Sequence, residues 1–528
     1  MSDKDDGGTS SPIPVVTSRG TCAVKSEFLR PAPVRVTLDT EGRTRGMNKG
    51  AERLRCDVVE GTQRPSLEGE SNFFHGEVLQ RIKAVVRGKR KDTKRDRRED
   101  CQAPSGEAES TAGKVKHDDE ERGTPALQQT NTDESHITVK SAVARASNTE
   151  ESMRERSAQH KALFSNKLVL APLTTVGNLP FRRVCKEYGA DITVGEMAIV
   201  HNLNRLQKSE WSLLRRHSSE DIFGLQIAVS RPHDAITWAQ AVEESGFSYD
   251  FVDINCGCPV DKVVLSGCGC GLWERKGNRL RDVVQSLVAH QSKPVTIKCR
   301  MGPDEENPEL HKHIADYETW GAAAVTIHGR SRRQRYTKLA NWSYIDNCAS
   351  LTSLPVIGNG DIFSCEDIVE HRAQSKNVSS FMIGRGALIK PWIFEEIKTG
   401  RVWDISSHER FEMLRRFCNF GLSHWGADER GVLNTRRFLC EWLSFLCRYV
   451  PVGLLERPPQ RINERPPYYE GRDELETLMA SDSAVDWIRI SEMLLGPAGD
   501  KFRFTPKHKS NAYATGGSLA EADMDVEG

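Results

Sequence analysis

The distribution of apolar and polar residues divides the chain into segments of different character. Residues 1–160 are rich in Ser, Thr, Gly, Glu, Lys and Arg and show no sustained apolar period. Such a composition does not bury enough apolar surface to offset the entropy lost on ordering, so it predicts a largely disordered extension. Residues 161–400 instead alternate short β-branched runs with amphipathic helical stretches. We therefore expect the ordered fold to begin near residue 161.

Eight apolar runs in this second segment predict strands. They are KLVLAPL (167–173), DITVGEM (191–197), FGLQIAV (223–229), FVDINC (251–256), VTIKCRM (295–301), AAVTIHG (323–329), PVIGNGD (355–361) and SFMIGRG (380–386). Helical patterns lie between most of them, at 179–189, 233–245, 279–291 and 365–373. Strands that are apolar on both faces and alternate with helices are typical of buried parallel sheets. The pattern predicts an α/β fold, a closed (β/α)8 TIM barrel, with a doubly wound sheet as the alternative.

Polar residues at the ends of these runs favour the barrel. The residues are Thr174, Glu196, Gln226, Asn255, Lys298, His328, Asp361 and Arg385. In a barrel the carboxyl ends of all strands meet at one face, where enzymes of this fold carry their active sites. A doubly wound sheet would scatter the same side chains.

Helical periods replace the strands after residue 400. The segment SSHERFEMLRRFCNFGLSHWG opens with a predicted Ser406–Glu409 capping box, and further helices are predicted at NTRRFLCEWLSFLCRYV, DELETLMA and AVDWIRISEMLL. We interpret residues 401–495 as a small all-α domain. Residues 496–528 form a tail that is basic and then acidic.

Charge and cysteine content limit the partners of the chain. The 74 Lys and Arg residues balance the 74 Asp and Glu residues, so any polyanion must meet a local basic patch. The sequence begins without an apolar core segment and contains no apolar stretch of membrane-spanning length, which predicts no membrane partner and a cytoplasmic or nuclear location. The 14 cysteines are then expected to be reduced thiols. No stable protein partner is implied.

The predicted barrel mouth offers the groups that a flavin mononucleotide needs. The segments IGNGD and IGRG follow strands seven and eight, where this fold usually binds phosphate, and they supply backbone N–H groups and Arg385. Lys298 is a suitable cation for the pyrimidine edge of the flavin, and Gln226 can donate to and accept from a flavin amide. Each element alone also has an ordinary explanation, either a tight glycine turn or a lysine that extends to the surface.

Four cysteines occupy one glycine-rich stretch, DINCGCPVDKVVLSGCGCG (253–271). Their Cys-x-Cys spacing is a poorer metal chelate than the Cys-x2-Cys of zinc knuckles, so we predict no metal site. Packing is a sufficient role for Cys256. Cys258 differs because Gly257 and Pro259 flank it at a predicted sharp turn. A thiol there is a candidate nucleophile or proton donor.

Two basic segments are candidates for contact with nucleic acid. One is the cluster at 81–98, within RIKAVVRGKRKDTKRDRRED, which suits an RNA-contacting arm, a nuclear import signal or a solvated charge run. The other is KFRFTPKHKS (501–510), which interleaves Lys and Arg with Phe502 and Phe504. That pattern suits contact with a phosphate backbone together with base stacking, and an ordinary surface tail is the alternative.

Several longer stretches closely resemble the tRNA-dihydrouridine synthases. They are APLTTVGNLPFRR, NCGCPVDKVV, HGRSRRQRYTKLANW, GNGDI, RGALIKPWIFEEI, HWGADERGVLNTRRFLCEW, NERPPYYEGRDELETLM and FTPKHKS. The resemblance covers roughly residues 165–513 and is strongest to the eukaryotic branch that acts on the variable-loop uridine at tRNA position 47. It implies a barrel that binds FMN, NADPH or NADH as the reductant, and a helical domain that helps to bind tRNA. Whether mRNA is also a substrate and the oligomeric state stay open.

The resemblance also implies roles for individual residues. Cys258 matches the catalytic acid, which protonates one carbon of a flipped-out uracil while reduced flavin passes hydride to the other. The cofactor contacts carried over are Pro172, Leu173, Thr174, Gln226, Lys298, His328, Asn359, Gly360, Asp361, Gly384 and Arg385. Many of these coincide with the strand ends selected above on physical grounds.

The sequence departs from the family pattern in two places. Members of this branch typically carry N-terminal zinc fingers, whereas Cys22, Cys56 and Cys101 stand far apart here. Cys268 and Cys270 occupy positions where the family generally has glycine or serine, which leaves open a redox-sensitive pair. Two other functions stay under consideration, namely a flavin barrel that acts on a small pyrimidine and a non-catalytic tRNA-binding module.

Overall fold

The fold is that of a computed structural model, which describes residues 21–31, 68–99, 151, 154–274 and 278–507. Eight parallel strands form its centre, and we label them β1 to β8. They are β1 (Leu168–Leu170), β2 (Ile192–Val194), β3 (Ile222–Ala228), β4 (Phe251–Cys256), β5 (Val295–Arg300), β6 (Ala324–His328), β7 (Val356–Asn359) and β8 (Ser380–Ile383). All eight coincide with the predicted strands.

The strand order closes the sheet into a barrel. Each strand pairs in parallel with its sequence neighbour, and β8 pairs with β1 through Phe381 and Leu168. The pairing of β2 with β3, in which Ile192 lies opposite Ile222, completes the circle. The predicted (β/α)8 barrel is therefore confirmed and the doubly wound alternative is excluded. Nearly all residues of the eight strands are buried, as their apolar composition requires.

Helices surround the barrel and continue beyond it. The longer ones are α1 (Gly76–Glu99), α2 (Leu179–Glu187), α3 (Pro232–Ser245), α4 (Arg279–His290), α5 (Ile314–Thr319), α6 (Trp342–Ala349), α7 (Cys365–Gln374), α8 (Arg385–Ile389), α9 (Ile393–Thr399), α10 (Ser407–Trp425), α11 (Glu429–Leu446), α12 (Glu474–Met479) and α13 (Ala484–Leu495). Shorter helical turns lie at Val200–Leu203, Lys208–Trp211, Asp261–Leu265 and Cys270–Glu274. Among the described helices, none combines the length and apolarity needed to cross a bilayer.

Helices α10 to α13 form the predicted all-α domain after the barrel. The Ser406–Glu409 capping box is present at the start of α10, with side-chain and backbone bonds in both directions. Trp442 of α11 joins the two domains, because its ring meets Phe181 of α2 edge-on at 5.3 Å and its indole N–H donates to the Leu388 carbonyl at 2.9 Å. Barrel and helical domain consequently share one hydrophobic core.

The prediction of disorder before residue 161 is corrected for the described segments, which are residues 21–31, 68–99, 151 and 154–160, the last of them part of a helix that continues to residue 164. Helix α1 packs against α3, with Ile82 and Val86 fully buried. Ahead of it, Glu70–Ser71 pairs with Arg216–His217 as a short antiparallel ribbon. An apolar face of only a few residues, within an otherwise strongly basic sequence, escaped the search for a sustained period. The remaining part of the predicted extension lies outside the described residues.

A carboxylate of this ribbon connects three parts of the molecule. Both Glu70 oxygens lie 3.0 Å from Nδ1 of His424, at the end of α10, and one lies 3.3 Å from Nη1 of Arg215 in the barrel. The Glu70 side chain is only 1% exposed. Burial alone would raise its pKa, but the hydrogen bond and charge of His424, together with Arg215, hold the pKa of Glu70 below its usual value.

Another described N-terminal segment, residues 21–31, packs on the helical domain. The Cys22 backbone N–H donates to the Arg465 carbonyl at 2.8 Å, and Cys22 and Val24 are buried beside Leu455. Burial raises the pKa of Cys22 to about 12, with a further rise from the nearby Glu464. Cys22 is therefore a packing residue here. Cys56 and Cys101 lie outside the described residues.

The C-terminal basic segment also packs on the helical domain. Phe504 meets Trp487 of α13 at 6.2 Å between ring centroids, and Phe502 lies under Arg436. Lys501 and Arg503, which alternate with these phenylalanines along the chain, are exposed. Both rings are partly buried against this domain, and their stacking on bases stays a prediction.

Candidate functional site

The carboxyl ends of the barrel strands collect the polar residues that the sequence predicts. Five of these residues lie near the carboxyl ends of β3 to β7, and all five are buried: Gln226, Asn255, Lys298, His328 and Asn359. The register places Asn255 opposite Lys298, and His328 opposite Asn359. The predicted convergence at one mouth is observed for these five residues.

One hydrogen-bonded network fixes the base of the mouth. Gln226 donates to Asp253 at 2.8 Å and accepts from Asn255 at 3.0 Å, and Asp253 also accepts from Thr296 at 2.6 Å. Burial raises the pKa of Asp253. Because protein partners use one donor and one acceptor of the Gln226 amide, one hydrogen and one lone pair stay available for a ligand amide.

The same network positions Cys258. The Asn255 side-chain oxygen accepts from the backbone N–H groups of Gly257 at 3.1 Å and Cys258 at 2.9 Å, which holds the turn after β4. Arg300 donates from Nε to the Gly257 carbonyl at 2.8 Å and so braces the turn from β5. Cys258 is itself buried, with 2% of its surface exposed.

The segment that carries the two unexpected cysteines folds back onto Cys258. The Cys270 backbone N–H donates to the Cys258 carbonyl at 3.0 Å. Gly269 has a positive φ of 56°, and a Cβ at that position would lie 2.8 Å from the Cys258 Cβ. Gly269 is therefore required by both its conformation and this close approach. Burial, with nearby cysteines and Asp253 adding to it, raises the pKa of Cys256 well above its ordinary value, as expected for a packing thiol.

A second cluster, around Asp361, occupies the opposite side of the mouth. Arg330 Nη2 lies 2.7 Å from both Asp361 oxygens, and Arg385 donates to one of them at 2.9 Å. Burial opposes ionisation, but the charges of Arg330 and Arg385 hold the pKa of Asp361 below its usual value. Tyr336 lies beneath the Arg385 guanidinium at 4.1 Å. Burial and the charge of Arg330 lower the pKa of Arg385 to about 10.

Two cations of this mouth, Arg300 and Arg330, were given no role by the sequence reasoning. Arg300 and Arg330 are buried, and Tyr336 stands between them and Arg385. Arg300 follows Lys298 by two residues within β5, so the two side chains lie on the same face of the strand. Arg330 follows His328 by two residues, just beyond the end of β6. A search for polar pairs at period two near the strand ends would have found both arginines.

His328 is kept neutral by its surroundings. Burial lowers its pKa well below the ordinary value, and the charges of Arg300, Arg330, Lys298 and Arg385 lower it further. Among the described residues, no group of three or more His, Cys, Asp or Glu is arranged to hold a metal ion. The electropositive character of the mouth thus favours an anionic ligand.

Buried polar atoms at the mouth have no protein partner in the described part of the chain. They include His328 Nδ1, Asn359 Oδ1 and Arg330 Nη1. Such atoms cost free energy unless a ligand or water satisfies them. Hydrogen-bonding atoms and cations at one mouth suit a ligand that carries both a ring with amide groups and a phosphate. FMN is such a ligand.

The remaining predicted cofactor contacts surround this cluster. Pro172 and Leu173 are buried after β1, Thr174 is exposed beside them, Gly360 has a positive φ of 135°, and Gly384 precedes the first turn of α8. A Cβ on Gly360 would lie 2.6 Å from the Ala340 Cβ, so the turn after β7 needs glycine for space as well. Contact of these residues with a cofactor stays a prediction.

Comparison with known proteins supports the assignment that the mouth suggests. The profile of the family described as dihydrouridine synthase (Dus) matches residues 169–427. The chain is 56% identical over 366 residues to "tRNA-dihydrouridine(47) synthase [NAD(P)(+)]-like" of Xenopus laevis, covering 69% of this chain and 57% of that protein. The protein of the same description from Arabidopsis thaliana is 54% identical over 369 residues, covering 69% and 53%.

The chain therefore spans little more than half the length of the curated relatives that it matches. Among solved structures, morphinone reductase is similar with a TM-score of 0.34 and 13% identity, over 45% of this chain and 86% of that one.

Proposed function

Because residues 169–427 place the chain in the dihydrouridine synthase family, we propose that it reduces the 5,6 double bond of a uridine in tRNA to dihydrouridine. The observation that carries the proposal is the turn after β4, where Asn255 and Arg300 hold a buried thiol at the mouth of an electropositive barrel. A base must leave its stack to reach such a site, and a thiol buried at the mouth of the barrel suits a flipped-out nucleotide.

FMN is the cofactor we assign to the mouth, with NADPH or NADH as the reductant. When bound, FMN supplies the hydride for one carbon of the uracil ring. Lys298, Gln226 and the neutral His328 would face its ring system, and Arg385 with the turns at Asn359–Asp361 and Gly384 would hold its phosphate. Pro172, Leu173 and Thr174 complete the proposed contacts. The unpartnered atoms of His328 and Asn359 support this assignment.

Cys258 is the proposed acid. Hydride addition leaves negative charge on the pyrimidine ring, and a thiol proton delivered to the second carbon removes it. The Asn255 carbonyl oxygen fixes the backbone of Cys258, and Gly269 packs against its Cβ, so the position of the thiol is defined from two sides.

The substrate position is proposed from the relatives. Their names specify position 47, which supports the variable-loop uridine as the target of this chain. We propose that the enzyme acts in the cytoplasm, the nucleus or both, where its substrate RNA is found. Whether the chain also acts on mRNA is a separate question that RNA mapping would answer.

The decisive experiment compares Cys258→Ala with Cys256→Ala. Removing the acid should slow single-turnover reduction of tRNA by the pre-reduced enzyme by roughly 10²–10⁴-fold, while FMN content and its reduction by NADPH stay unchanged. Cys256→Ala, a buried thiol two residues away, should cost far less. Equal losses in both variants, with flavin retained, would contradict the role of Cys258. Absence of dihydrouridine in tRNA treated with the unmodified enzyme would contradict the function itself.

A further inference from the structure

A basic loop, residues 331–338, borders the mouth between β6 and α6. It carries Arg332, Arg333, Arg335 and Lys338 around Tyr336. Its backbone is anchored, since the N–H groups of Arg332 and Arg333 donate to the carbonyls of Gly302 and Pro303 at 2.8 and 3.2 Å. The cations of this basic loop therefore project from a fixed base.

The anchoring reaches the site itself. Arg330 donates from Nε and Nη2 to the Lys338 carbonyl at 3.0 and 2.6 Å, and Arg300 donates to the Ser331 carbonyl at 3.0 Å. Arg385 stacks on Tyr336 in the middle of the loop. The basic loop is thus continuous with the cluster that we assign to the cofactor, and it forms part of the rim that a nucleotide must cross.

Carboxylates of neighbouring loops occupy three of these cations. Arg333 Nη1 lies 2.7 Å from Asp304, Lys338 Nζ lies 2.7 Å from Glu305, and Arg332 Nη1 lies 2.6 Å from Glu274. Asp304 and Glu305 belong to the loop after β5, whose sequence, PDEENPEL, is strongly acidic. Acidic and basic loops face each other across one edge of the mouth.

The two outer pairs are solvated. Arg333 is 73% exposed and Lys338 is 61% exposed, with Asp304 and Glu305 at 28% and 41%. Exposed ion pairs contribute little to stability and exchange readily with other partners. An RNA backbone offers a series of phosphates that can replace both carboxylates in one event and release counterions as it does so.

We propose that the basic loop binds the phosphates beside the target nucleotide, and that Asp304 and Glu305 act as internal competitors that hold Arg333 and Lys338 until RNA displaces them. This inference rests on the proposed function, because it assigns RNA phosphates as the ligand. It predicts that RNA binding includes the opening of two specific ion pairs. Asp304 and Glu305 then weaken the binding of any RNA that is too short, or bound in the wrong position, to contact both Arg333 and Lys338.

The test is a double-mutant cycle on tRNA affinity, measured with the full chain by fluorescence anisotropy at several salt concentrations. Asp304→Asn should raise affinity roughly two- to fivefold, because it removes the competitor. Arg333→Gln should lower affinity and reduce the salt slope by about one. In the Arg333→Gln background, Asp304→Asn should bring no gain.

A matched control is available at the other end of the barrel. Asp221 pairs with Lys186 at 2.8 Å just before β3, so Asp221→Asn makes the same charge change far from the mouth and should leave affinity unchanged. If Asp304→Asn gives the same gain with or without Arg333, or if Asp221→Asn gives that gain too, general electrostatics explains the result and the competitor role is overturned. The proposed function fails separately, if the unmodified enzyme makes no dihydrouridine.

Discussion

At the scale of single residues, the ion pair between Arg330 and Asp361 supports the side of the mouth that we assign to the cofactor phosphate. Arg330 is fully buried, and both Asp361 oxygens lie 2.7 Å from its Nη2. Asp361→Asn would leave Arg330 and Arg385 as buried cations without a counter-charge. Removing one member of a buried pair typically costs about 3–5 kcal/mol in the free energy of unfolding. Urea unfolding of the variant checks this value, and an unchanged midpoint would show that Arg330 finds another anion.

His328 gives the stability of the protein a defined pH dependence. Its pKa in the folded state lies well below the ordinary value, first because of burial and then because of four nearby cations. As pH falls below about 6.5, the unfolded chain takes up a proton that folded His328 does not, so stability decreases by at most about 1.4 kcal/mol per pH unit from this group. His328→Asn should flatten the difference in unfolding free energy between pH 7 and pH 5.5. If the two proteins lose stability in parallel, His328 does not contribute.

Individual residues also show how much of the candidate site could be predicted from the sequence. Lys298 and His328 were found because each ends an apolar run, and the barrel brings such ends together. Cys258 was found from the turn that Gly257 and Pro259 predict, and Asn359 from the family resemblance. Arg300 and Tyr336 were not given a role. Arg300 acts through the carbonyls of Gly257 and Ser331, which come from two other loops, and no local pattern records such contacts. The contact of Tyr336 with Arg385 likewise joins positions 49 residues apart, from Tyr336 to Arg385.

At the scale of elements, helix α1 shows that packing can order a segment whose charge predicts disorder. Its sequence is strongly basic, which favours disorder, yet Ile82 and Val86 lie in the barrel core cluster and Arg81 donates to the Ser245 carbonyl at 3.2 Å. Ile82 and Val86 are fully buried, and Val78 and Val85 pack beside them, because α3 offers a complementary apolar face. The composition of one segment gives no information about such a partner face.

Detaching α1 should therefore be a local event. Ile82→Asp places a charge in a fully buried position and should release the helix from α3, since an unpaired buried charge is costly. We expect faster tryptic cleavage at Arg81 and Lys83 and faster amide hydrogen exchange over residues 76–86, with exchange in β4 to β6 unchanged. Ala84→Asp is the control, because it adds the same charge to the exposed face of the same turn and keeps both cleavage sites. Accelerated exchange throughout the barrel would show that α1 is integral to the core.

At the scale of the whole molecule, the barrel and the helical domain form one folding unit. Trp442 contacts Phe181 of α2 and Phe417 of α10, and its indole N–H donates to the Leu388 carbonyl just after β8. The N-terminal Glu70 adds a second connection by contacting both His424 and Arg215. Elements that share one core and a buried carboxylate are expected to unfold together, although the sequence divides them cleanly at residue 400.

Heating should accordingly give a single cooperative transition for barrel and helical domain. Trp442→Ala should lower the free energy of unfolding by about 3–5 kcal/mol, because it removes a large buried side chain from between the two domains. Intrinsic fluorescence and flavin release, which report on different parts of the molecule, should shift to the same lower temperature. Trp425→Ala offers the comparison, since Trp425 stacks on Phe438 within the helical domain at 4.6 Å and should cost less. If flavin release keeps its original midpoint in Trp442→Ala while fluorescence shifts, the barrel is stable by itself and the two domains unfold independently.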